Sequence, residues 1–447
     1  MKKIFSEIIT FLLFFSYFHS ISAQQPTDPI KQPTAEIGNP FPIYHKGLQA
    51  NNYLTPLVNF QRNEAEYLKS EQWSGLLPDL LGYLYSFVGN YDAAYVYLDK
   101  NIEKQQKPLP DLQNSPLDKY KPREALKAIY SAADKHQVIM INEEHDTPLH
   151  RAFTARLLPV LYKKGFRYLA VETLSDTDTE LNSRGYPVQK TGFYSVDPVF
   201  GDMLRTALKF GFKLVSYEHR PKERCASPAD KPNFCQNERE RGQAQNLYDN
   251  IFKTDPQAKV LVHVGRGHNQ KLKLDDWAQM GWHFKEISKI EAFSVNQMNS
   301  ERSAVRYERP EYRYVTSKWK FTEPTAFQSK SGEWWKGYGY DLHIYHPRTR
   351  YERGRPDWLK IGGTRTPYAL YGKASKNGTV GNFISSAPGT YLVQAFVEGE
   401  SADAVPIDQI IVTDPKNAPA LMLPKGHFRI RIIDDLGKVI SEQRILT

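Results

Sequence analysis

Three features are scarce in this sequence: cysteine, long apolar runs and blocks of like charge. Its 447 residues include 2 cysteines, Cys225 and Cys235. Beyond the first residues, no segment approaches the roughly 18 apolar residues of a membrane-spanning helix, so we expect no transmembrane segment in the mature chain. The net charge is +9, but lysine and arginine are spread along the chain. Because nucleic-acid-binding proteins gather their basic residues on one face, we predict no nucleic-acid partner.

The first residues, 1–23, have the pattern of a secretory signal. A basic start is followed by the apolar run 8–18 and by small residues just before a predicted cleavage ahead of Gln24. We therefore predict an exported protein, placed in the periplasm of a Gram-negative cell. In such a protein Cys225 and Cys235 are expected to form a disulfide. Closing this short loop contributes about 2–3 kcal/mol in the chain-entropy model. A metal-binding pair is the alternative, although a C-x-x-C spacing is typical of it.

The apolar pattern divides the rest of the chain into three predicted regions. Residues 24–118 combine a Pro- and Gln-rich lead-in with a helical part, in which Gly82–Lys100 resembles one tetratricopeptide-type hairpin. The alternative there is an amphipathic helix pair packed on the next region. Residues 119–300 alternate strands with helices. Residues 301–447 contain short alternating runs separated by turn signals, which predicts an antiparallel β-sandwich. The 27 Tyr, 23 Phe and 7 Trp also favour strands.

The alternation within residues 119–300 predicts an α/β domain with a parallel sheet and helices on both of its faces. The predicted strands are Val138–Ile141, Arg167–Glu172, Lys213–Tyr217, Lys259–Val264 and Ala292–Gln297. The predicted helices are Arg123–Lys135, Leu149–Lys164, Pro198–Phe210 and Glu238–Phe252. The segment before them, Lys107–Arg123, is rich in proline and is predicted to be a linker.

Acidic residues and histidines stand at the ends of four of these strands. The carboxyl ends of parallel strands share one edge of the sheet, and ligands bind at that edge. Buried acids are costly unless basic groups, a metal or water satisfy them, so this edge is the candidate site. Its residues are Glu143, Glu144 and His145, then Glu172, then Glu218 and His219, then His263 and His268. The alternative for each stretch alone is a solvated loop or a helix cap.

These motifs resemble the superfamily that joins erythromycin esterases, haem-binding uptake proteins of the ChaN kind and Tiki metalloproteases. The resemblance covers about residues 120–300. It departs from the family at Asn142, where the first motif has glycine. The matching stretches are Asn142-Glu143-Glu144-His145 with Asp146 and His150, Leu169-Ala170-Val171-Glu172, Arg239-Glu240 with Ala244 and Asn246, and Gly265-Arg266-Gly267-His268.

The esterase members imply hydrolysis by an activated water. Glu172 would be the general base, and its pKa is expected to be raised towards neutrality by burial among other carboxylates. His145 and His268 would hold the water or the carbonyl oxygen. Glu143 would orient His145, and Arg239 would stabilise the oxyanion. This interpretation predicts an exported hydrolase of ester or amide bonds that acts on a small molecule or a peptide.

Two other branches of the resemblance imply different uses of the same edge. In the Tiki branch a zinc or other transition-metal ion would be bound, which lowers the pKa of its water to about 7. The candidate ligands are His145, His268, Glu143, Glu172 and Glu218. In the ChaN branch the edge would take up haem or iron without chemistry, and a non-catalytic ligand-binding site is the last alternative. The secondary candidates are His150, His219, Glu240 and His263.

The aromatic pair Trp334-Trp335, with Tyr338 and Tyr340 nearby, is the one feature of the C-terminal region that suggests a ligand. Such a group can stack on a sugar ring, whereas ordinary strand packing is the alternative. The sequence therefore leaves three roles open for the β region: binding a glycan, binding a protein, or simply capping the α/β domain.

Overall fold

The computed structural model describes residues 37–105, 110–220, 225–370 and 389–447. The predicted secretory signal and the start of the lead-in lie outside the described residues. The helices are α1 (Phe41–Gln49), α2 (Leu54–Arg62), α3 (Glu64–Lys69), α4 (Leu77–Phe87), α5 (Tyr91–Gln105), α6 (Ala125–Ala133), α7 (Pro148–Lys163), α8 (Leu181–Arg184), α9 (Pro198–Phe210), α10 (Phe234–Leu247), α11 (Met280–Ser288) and α12 (Pro310–Lys318). None of these helices combines the length and the apolar content needed to cross a membrane.

The strands are β1 (Tyr120–Glu124), β2 (Val138–Glu143), β3 (Tyr168–Val171), β4 (Lys213–Ser216), β5 (Val260–Gly265), β6 (Phe293–Asn296), β7 (Thr325–Ser329), β8 (Leu342–His343), β9 (Tyr351–Glu352), β10 (Arg355–Pro356), β11 (Thr366–Tyr368), β12 (Tyr391–Val397), β13 (Asp408–Val412), β14 (Leu421–Leu423), β15 (His427–Asp434) and β16 (Val439–Leu446). Short 3-10 segments and one π-helical turn after α10 complete the described secondary structure.

A six-stranded parallel sheet lies at the centre, in the order β4-β3-β5-β2-β6-β8. Strands β2 and β5 pair along their whole length, so that Glu143 lies opposite Gly265 where both strands end. Their residues are buried throughout, as expected for a parallel sheet that is covered on both faces. The predicted α/β fold class is confirmed.

Helices cover both faces of this sheet because successive side chains of each strand point to opposite sides. Ile139 and Ile141 pack in one apolar cluster with α6, α7 and α9. Val138 and Met140 pack in a second cluster with α10 and α11. The strand ends therefore open between two helical layers, and the loops that leave them carry the candidate site.

A helical region precedes the sheet, as predicted. Helices α4 and α5 form a hairpin that turns at Gly89, whose φ is +73°. The two helices approach closely at Gly82, because a Cβ there would lie 2.3 Å from Leu98 Cγ. Tyr91, the first residue of α5, is buried in the same cluster as the helices of the central sheet. The hairpin thus packs on the α/β part rather than standing apart as a repeat.

The C-terminal region contains a four-stranded antiparallel sheet in the order β13-β12-β15-β16. A two-stranded ribbon of β11 and β14 shares its apolar core through Leu421 and Leu423. Two of the short alternating runs that predict strands in this region, Tyr340–Tyr345 and Trp358–Ile361, differ in the structure. Leu342–His343, within the first run, pairs with β6 and extends the parallel sheet, and the second run lies in a 3-10 segment. Residues 39–447 form one compact unit, and the predicted domain boundaries stay predictions.

The predicted linker Lys107–Arg123 was wrong over its second half. Residues 116–119 form a 3-10 turn, and β1 pairs antiparallel with β7, about 200 residues later in the chain. This pairing is non-local, and Pro122 lies within β1. Proline is tolerated in such a two-stranded ribbon because it has an open edge. A proline-rich segment with no apolar alternation gave no local signal for this strand.

Candidate functional site

The candidate site is centred on the ends of β2, β3 and β5. Glu143 is the last residue of β2, Glu172 directly follows β3, and Gly265 ends β5 before the turn that carries His268. Helix α10 brings Arg239 and Glu240 to the same edge. The structure therefore brings together the predicted residues Glu143, His145, Glu172, Glu218, Arg239, Glu240, His263 and His268.

Glu143 is the most heavily bonded carboxylate of the site and is 2% exposed. Arg151 donates to it twice, from Nε to Oε2 at 2.7 Å and from Nη2 to Oε1 at 3.0 Å. Nδ1 of His145 lies 2.9 Å from Oε1, and Nε2 of His263 lies 2.8 Å from Oε2. Burial alone would raise the pKa of Glu143, but Arg151 and the histidines hold it well below its ordinary value. Glu143 is therefore a fixed negative charge.

His145 is oriented by this charge and by an aromatic ring. Because Glu143 is ionised, Nδ1 of His145 carries a proton and donates it to Oε1, which leaves Nε2 as the basic ring atom. The imidazole stacks on Tyr194 with ring centroids 4.2 Å apart and planes 12° apart. Arg151 Nη2 also donates to the His145 carbonyl oxygen at 2.7 Å. Both the tautomer and the ring position of His145 are thus set by its neighbours.

Glu172 lies beside both site histidines. Its Oε1 accepts from Arg239 Nη2 at 2.7 Å and is 3.5 Å from His268 Nε2. Its Oε2 accepts from the backbone N–H of Gly265 at 2.5 Å. Burial alone would raise the pKa of Glu172, but His268, Arg239 and His145 lower it to about 2. The expectation of a raised pKa was wrong, because the neighbours of this carboxylate are mostly cations and donors rather than other acids.

Arg239 fills the space between two carboxylates. Nη2 donates to Glu218 Oε2 at 2.8 Å as well as to Glu172, and Nε donates to Glu218 Oε1 at 3.2 Å. Nη1 lies 3.2 Å from His268 Nε2. The side chain is 27% exposed, more than those of Glu172 and Glu218. Arg239 is therefore the cationic group by which an oxygen of an incoming molecule can be bound.

The two ring nitrogens of His268 face different carboxylates, Nδ1 that of Glu240 and Nε2 that of Glu172. Its Nδ1 is 2.7 Å from Glu240 Oε1, and Glu240 in turn accepts from the Met280 backbone N–H at 2.8 Å. Burial alone would lower the pKa of His268, but Glu240 and Glu172 raise it above the ordinary histidine value. His268 is therefore a proton donor over a wider pH range than an ordinary histidine.

The absence of a side chain at Gly265 allows His145 and Glu172 to lie close to the end of β5. A Cβ at this position would lie 2.4 Å from His145 Cε1 and 2.9 Å from Glu172 Oε2. We expect Gly265→Ala to destabilise the fold by about 1–3 kcal/mol, as overpacking does, and to displace the His145 ring. Urea unfolding checks the first effect. The matched control is Gly267→Ala, where the nearest atom is Oε1 at the far end of the Gln270 side chain, 3.1 Å away. Equal stability of both variants would contradict the prediction.

Two secondary candidates do not reach this centre. His150 accepts from the Glu144 backbone N–H through Nδ1, and burial lowers its pKa to about 3. The His150 imidazole therefore stays neutral and stabilises the loop that leads into α7. The His219 ring packs on Gly242, where a Cβ would lie 2.3 Å away. His263 does join the site, through Glu143, while its Nδ1 lies 3.3 Å from Thr154 Oγ1.

Three residues of the site, Arg151, Asp197 and Tyr194, belong to no sequence motif and were not predicted. Arg151 follows Glu143 by eight positions, on α7, and its Nη1 is 3.3 Å from Asp197. Asp197 caps α9 by accepting from the Val199 backbone N–H at 2.7 Å. Tyr194 lies in the long loop before that helix. A basic residue one helical turn after the Pro148 helix start was the one available signal, and nothing marked Tyr194.

The described residues do not fit a metal ion at this edge. They contain no group of three or more His, Cys, Asp or Glu side chains that is placed to hold a metal. The carboxylates that would ligate one are taken by guanidinium groups instead, Glu143 by Arg151 and both Glu172 and Glu218 by Arg239. Arginine thus supplies the positive charge that a bound cation would bring to the same carboxylates.

A cavity of about 10 Å³ borders these residues. This volume is close to that needed for one water molecule. Its wall is formed by Glu143, His145, Val171, Glu172, Thr173, Tyr194, Phe200, His263, Val264 and Gly265. The cavity therefore places a water-sized space beside Glu143, His145 and Glu172.

The predicted disulfide between Cys225 and Cys235 is confirmed. Cys235 is the second residue of α10, and Arg239 and Glu240 follow it one turn later on that helix. The bond therefore ties the preceding loop to the helix that delivers two site residues.

No protein-family model matches this chain, and no curated protein does. Among solved structures, the type III effector HopBA1 is 12% identical, with a TM-score of 0.33, and the match covers 53% of this chain and 100% of that one. The haem-binding protein ChaN of Campylobacter jejuni is 15% identical, with a TM-score of 0.26, and the match covers 45% of this chain and 97% of that one. RRSP, a MARTX toxin effector domain from Vibrio vulnificus CMCP6, is 12% identical, with a TM-score of 0.27, and the match covers 67% of this chain and 58% of that one. These similarities are too weak to support a function, and membership of the predicted superfamily stays a prediction.

Proposed function

We propose that this protein is a metal-independent hydrolase of ester or amide bonds that works by acid–base chemistry. The proposal depends on one observation. Two histidine–carboxylate pairs, Glu143–His145 and Glu240–His268, both lie near the Glu172 carboxylate. One histidine presents a basic nitrogen and the other a raised pKa, which is the pairing that general acid–base catalysis needs.

His145 is proposed as the general base. A water in the cavity would give its proton to Nε2 of His145 as it attacks the carbonyl carbon, and Glu143 would stabilise the imidazolium that forms. The carbonyl oxygen would be bound by Arg239, whose charge stabilises the developing oxyanion. His268 would then donate a proton to the leaving oxygen or nitrogen. This assignment moves the base from Glu172, whose two oxygens are occupied by Arg239 and Gly265, to a histidine.

The test is a pH and chelator series on the purified full chain with an activated aryl ester and a peptide anilide. We expect hydrolysis that weakens as the pH rises through the raised pKa of His268, since its imidazolium loses the proton to be donated. Activity should persist after dialysis against a strong chelator. His268→Gln should remove the alkaline limb of the profile. Loss of activity on chelation would contradict the metal-free chemistry, and an unchanged alkaline limb in the variant would contradict the acid role.

The compartment belongs to the proposal as well. We propose that the protein is exported and acts in the periplasm, on the support of the predicted secretory signal and of the Cys225–Cys235 disulfide, which persists in oxidising compartments. Haem or iron uptake is not proposed. Among the described residues, His145 and His268 are held by carboxylates, and the cavity that His145 borders has the size of a water molecule rather than of a haem.

A further inference from the structure

The last strand, β16, exposes apolar side chains at the edge of the antiparallel sheet. Leu446 is 66% exposed and Ile440 is 41% exposed. Between them, the side chains of Glu442 and Arg444 are 45% and 78% exposed. Exposed edge strands usually carry charges or proline that prevent pairing with another chain. A strand that is apolar towards both ends and charged in the middle needs a further reason.

The backbone of this strand leaves one row of hydrogen-bonding groups on the outer side. The Thr447 N–H donates to the Gly426 carbonyl at the far end of β15. Because alternate residues point their N–H and C=O groups to opposite sides, positions 441, 443 and 445 also face β15. Positions 442, 444 and 446 therefore face outwards. Ile440 precedes them at the β-bulge where the register with β15 shifts between Ile432 and Ile433. Among the strands of the described residues, β15 is the partner of β16, and none pairs with this outer side.

We propose that the outer edge of β16 pairs with β16 of a second copy of this chain. The two strands run antiparallel about a twofold axis at Gln443. In this register Glu442 lies opposite the second copy's Arg444, and Arg444 lies opposite its Glu442. At both ends Leu446 lies next to the bulged Ile440 of the other copy. Opposite charges and apolar pairs are the cross-strand pairs that stabilise a sheet.

The occupant is a second copy because the strand is complementary to itself. The exposed side chains of Ile440, Glu442, Arg444 and Leu446 read apolar, acidic, basic, apolar along the strand. An antiparallel copy presents the matching order, as a twofold interface requires. The neighbouring registers that keep the outward groups paired would set Glu442 against Glu442 or Arg444 against Arg444. Like charges directly opposite one another destabilise a strand pair, so the register at Gln443 is selected.

The ion pairs within one chain do not compete strongly with this contact. Glu442 is 2.9 Å from Arg429, and Arg444 is 3.0 Å from Glu398. Exposed ion pairs of this kind contribute little to stability, so Glu442 and Arg444 can also form ion pairs with a second copy. A single strand pair is small for a protein interface, and we expect a weak dimer whose population rises with concentration.

Charge reversal tests the pairing directly. Sedimentation velocity over about a hundredfold range of concentration should show that the wild-type full chain dimerises. Glu442→Arg and Arg444→Glu should each stay monomeric, because like charges then face each other. Their equimolar mixture should form a heterodimer, and the double variant with both reversals should regain the homodimer. A monomeric wild type, or single variants that dimerise as the wild type does, would overturn the proposal.

Cysteine substitution tests the register and does not depend on how the charge variants fold. Two copies of residue 443 would form a non-hydrogen-bonded pair with Cα atoms about 4.5 Å apart, close enough for a disulfide. Gln443→Cys should therefore give a covalent dimer on mild oxidation. Ser441→Cys is the matched control, since its two copies would lie about 13 Å apart. Equal crosslinking of both variants, or none with Gln443→Cys, would rule out this register.

Discussion

Replacing His145 with asparagine should lower kcat/KM for ester hydrolysis by about 10²–10⁴-fold, the range expected when a general base is removed. Asparagine can still contact the Glu143 carboxylate through its amide, so the charge network below is disturbed little. It has no basic nitrogen to take the proton of the attacking water. The loss should appear mainly in kcat, because His145 acts on the transition state rather than on substrate binding.

The matched control for this variant is His136→Asn. His136 is half-buried, lies before β2 at the other end of that strand, and its Nδ1 is 3.4 Å from the Glu291 carbonyl oxygen. Its replacement should leave kcat/KM unchanged. Comparable activity of the His145 variant and the wild type would return the base role to Glu172. Glu172→Gln should then be the variant that abolishes turnover.

Five strands of the central sheet were predictable because they are short, buried and apolar and alternate with helices, whereas β8 was predicted to belong to the C-terminal region. Helix α9 matches the prediction at both ends, and β2, β3, β5 and β6 lie where the apolar runs stand. The ends of α10 differ, because the helix starts four residues earlier and turns into a π-helical segment at Tyr248. Elements made by distant pairing, such as β1 with β7, had no local pattern to reveal them.

The composition of the site was predictable, whereas its electrostatics were not. Strand ends converge at one edge of a parallel sheet, which is why Glu143, His145, Glu172 and His268 meet. The sequence did not show which charges would surround each carboxylate. Arg151 lies on a buried helix face, and Arg239 turns inwards between two acids. His268 and Arg239 lower the pKa of Glu172. The two arginines together occupy the carboxylates that the metal hypothesis needs.

The largest effect on stability should come from Arg151→Met. Arg151 is 0% exposed, donates to Glu143 through two nitrogens, and lies 3.3 Å from Asp197. Methionine is similar in length, but it leaves a carboxylate buried without its cation. Breaking one partner of a buried ion pair costs about 3–5 kcal/mol. The free energy of unfolding in urea at pH 7 should fall by this amount. Lys127→Met is the control, since the exposed Lys127–Glu124 pair contributes about 0–1 kcal/mol.

The same pair predicts how that loss depends on pH. In the wild type the pKa of Glu143 is lowered, so its ionised form stabilises the fold above the pKa of an unfolded glutamate, about 4.3. That contribution is lost as the pH falls towards the folded pKa. Without Arg151 the pKa of Glu143 should rise, and the protein has less of this stabilisation to lose. The difference between wild type and Arg151→Met should therefore be largest near pH 7 and shrink below about pH 4. Adding Glu143→Gln to the variant should restore part of the stability at pH 7, because the buried group is then neutral. A difference that stays constant from neutral to acid pH would mean that Arg151 stabilises the fold by packing rather than through the charge of Glu143.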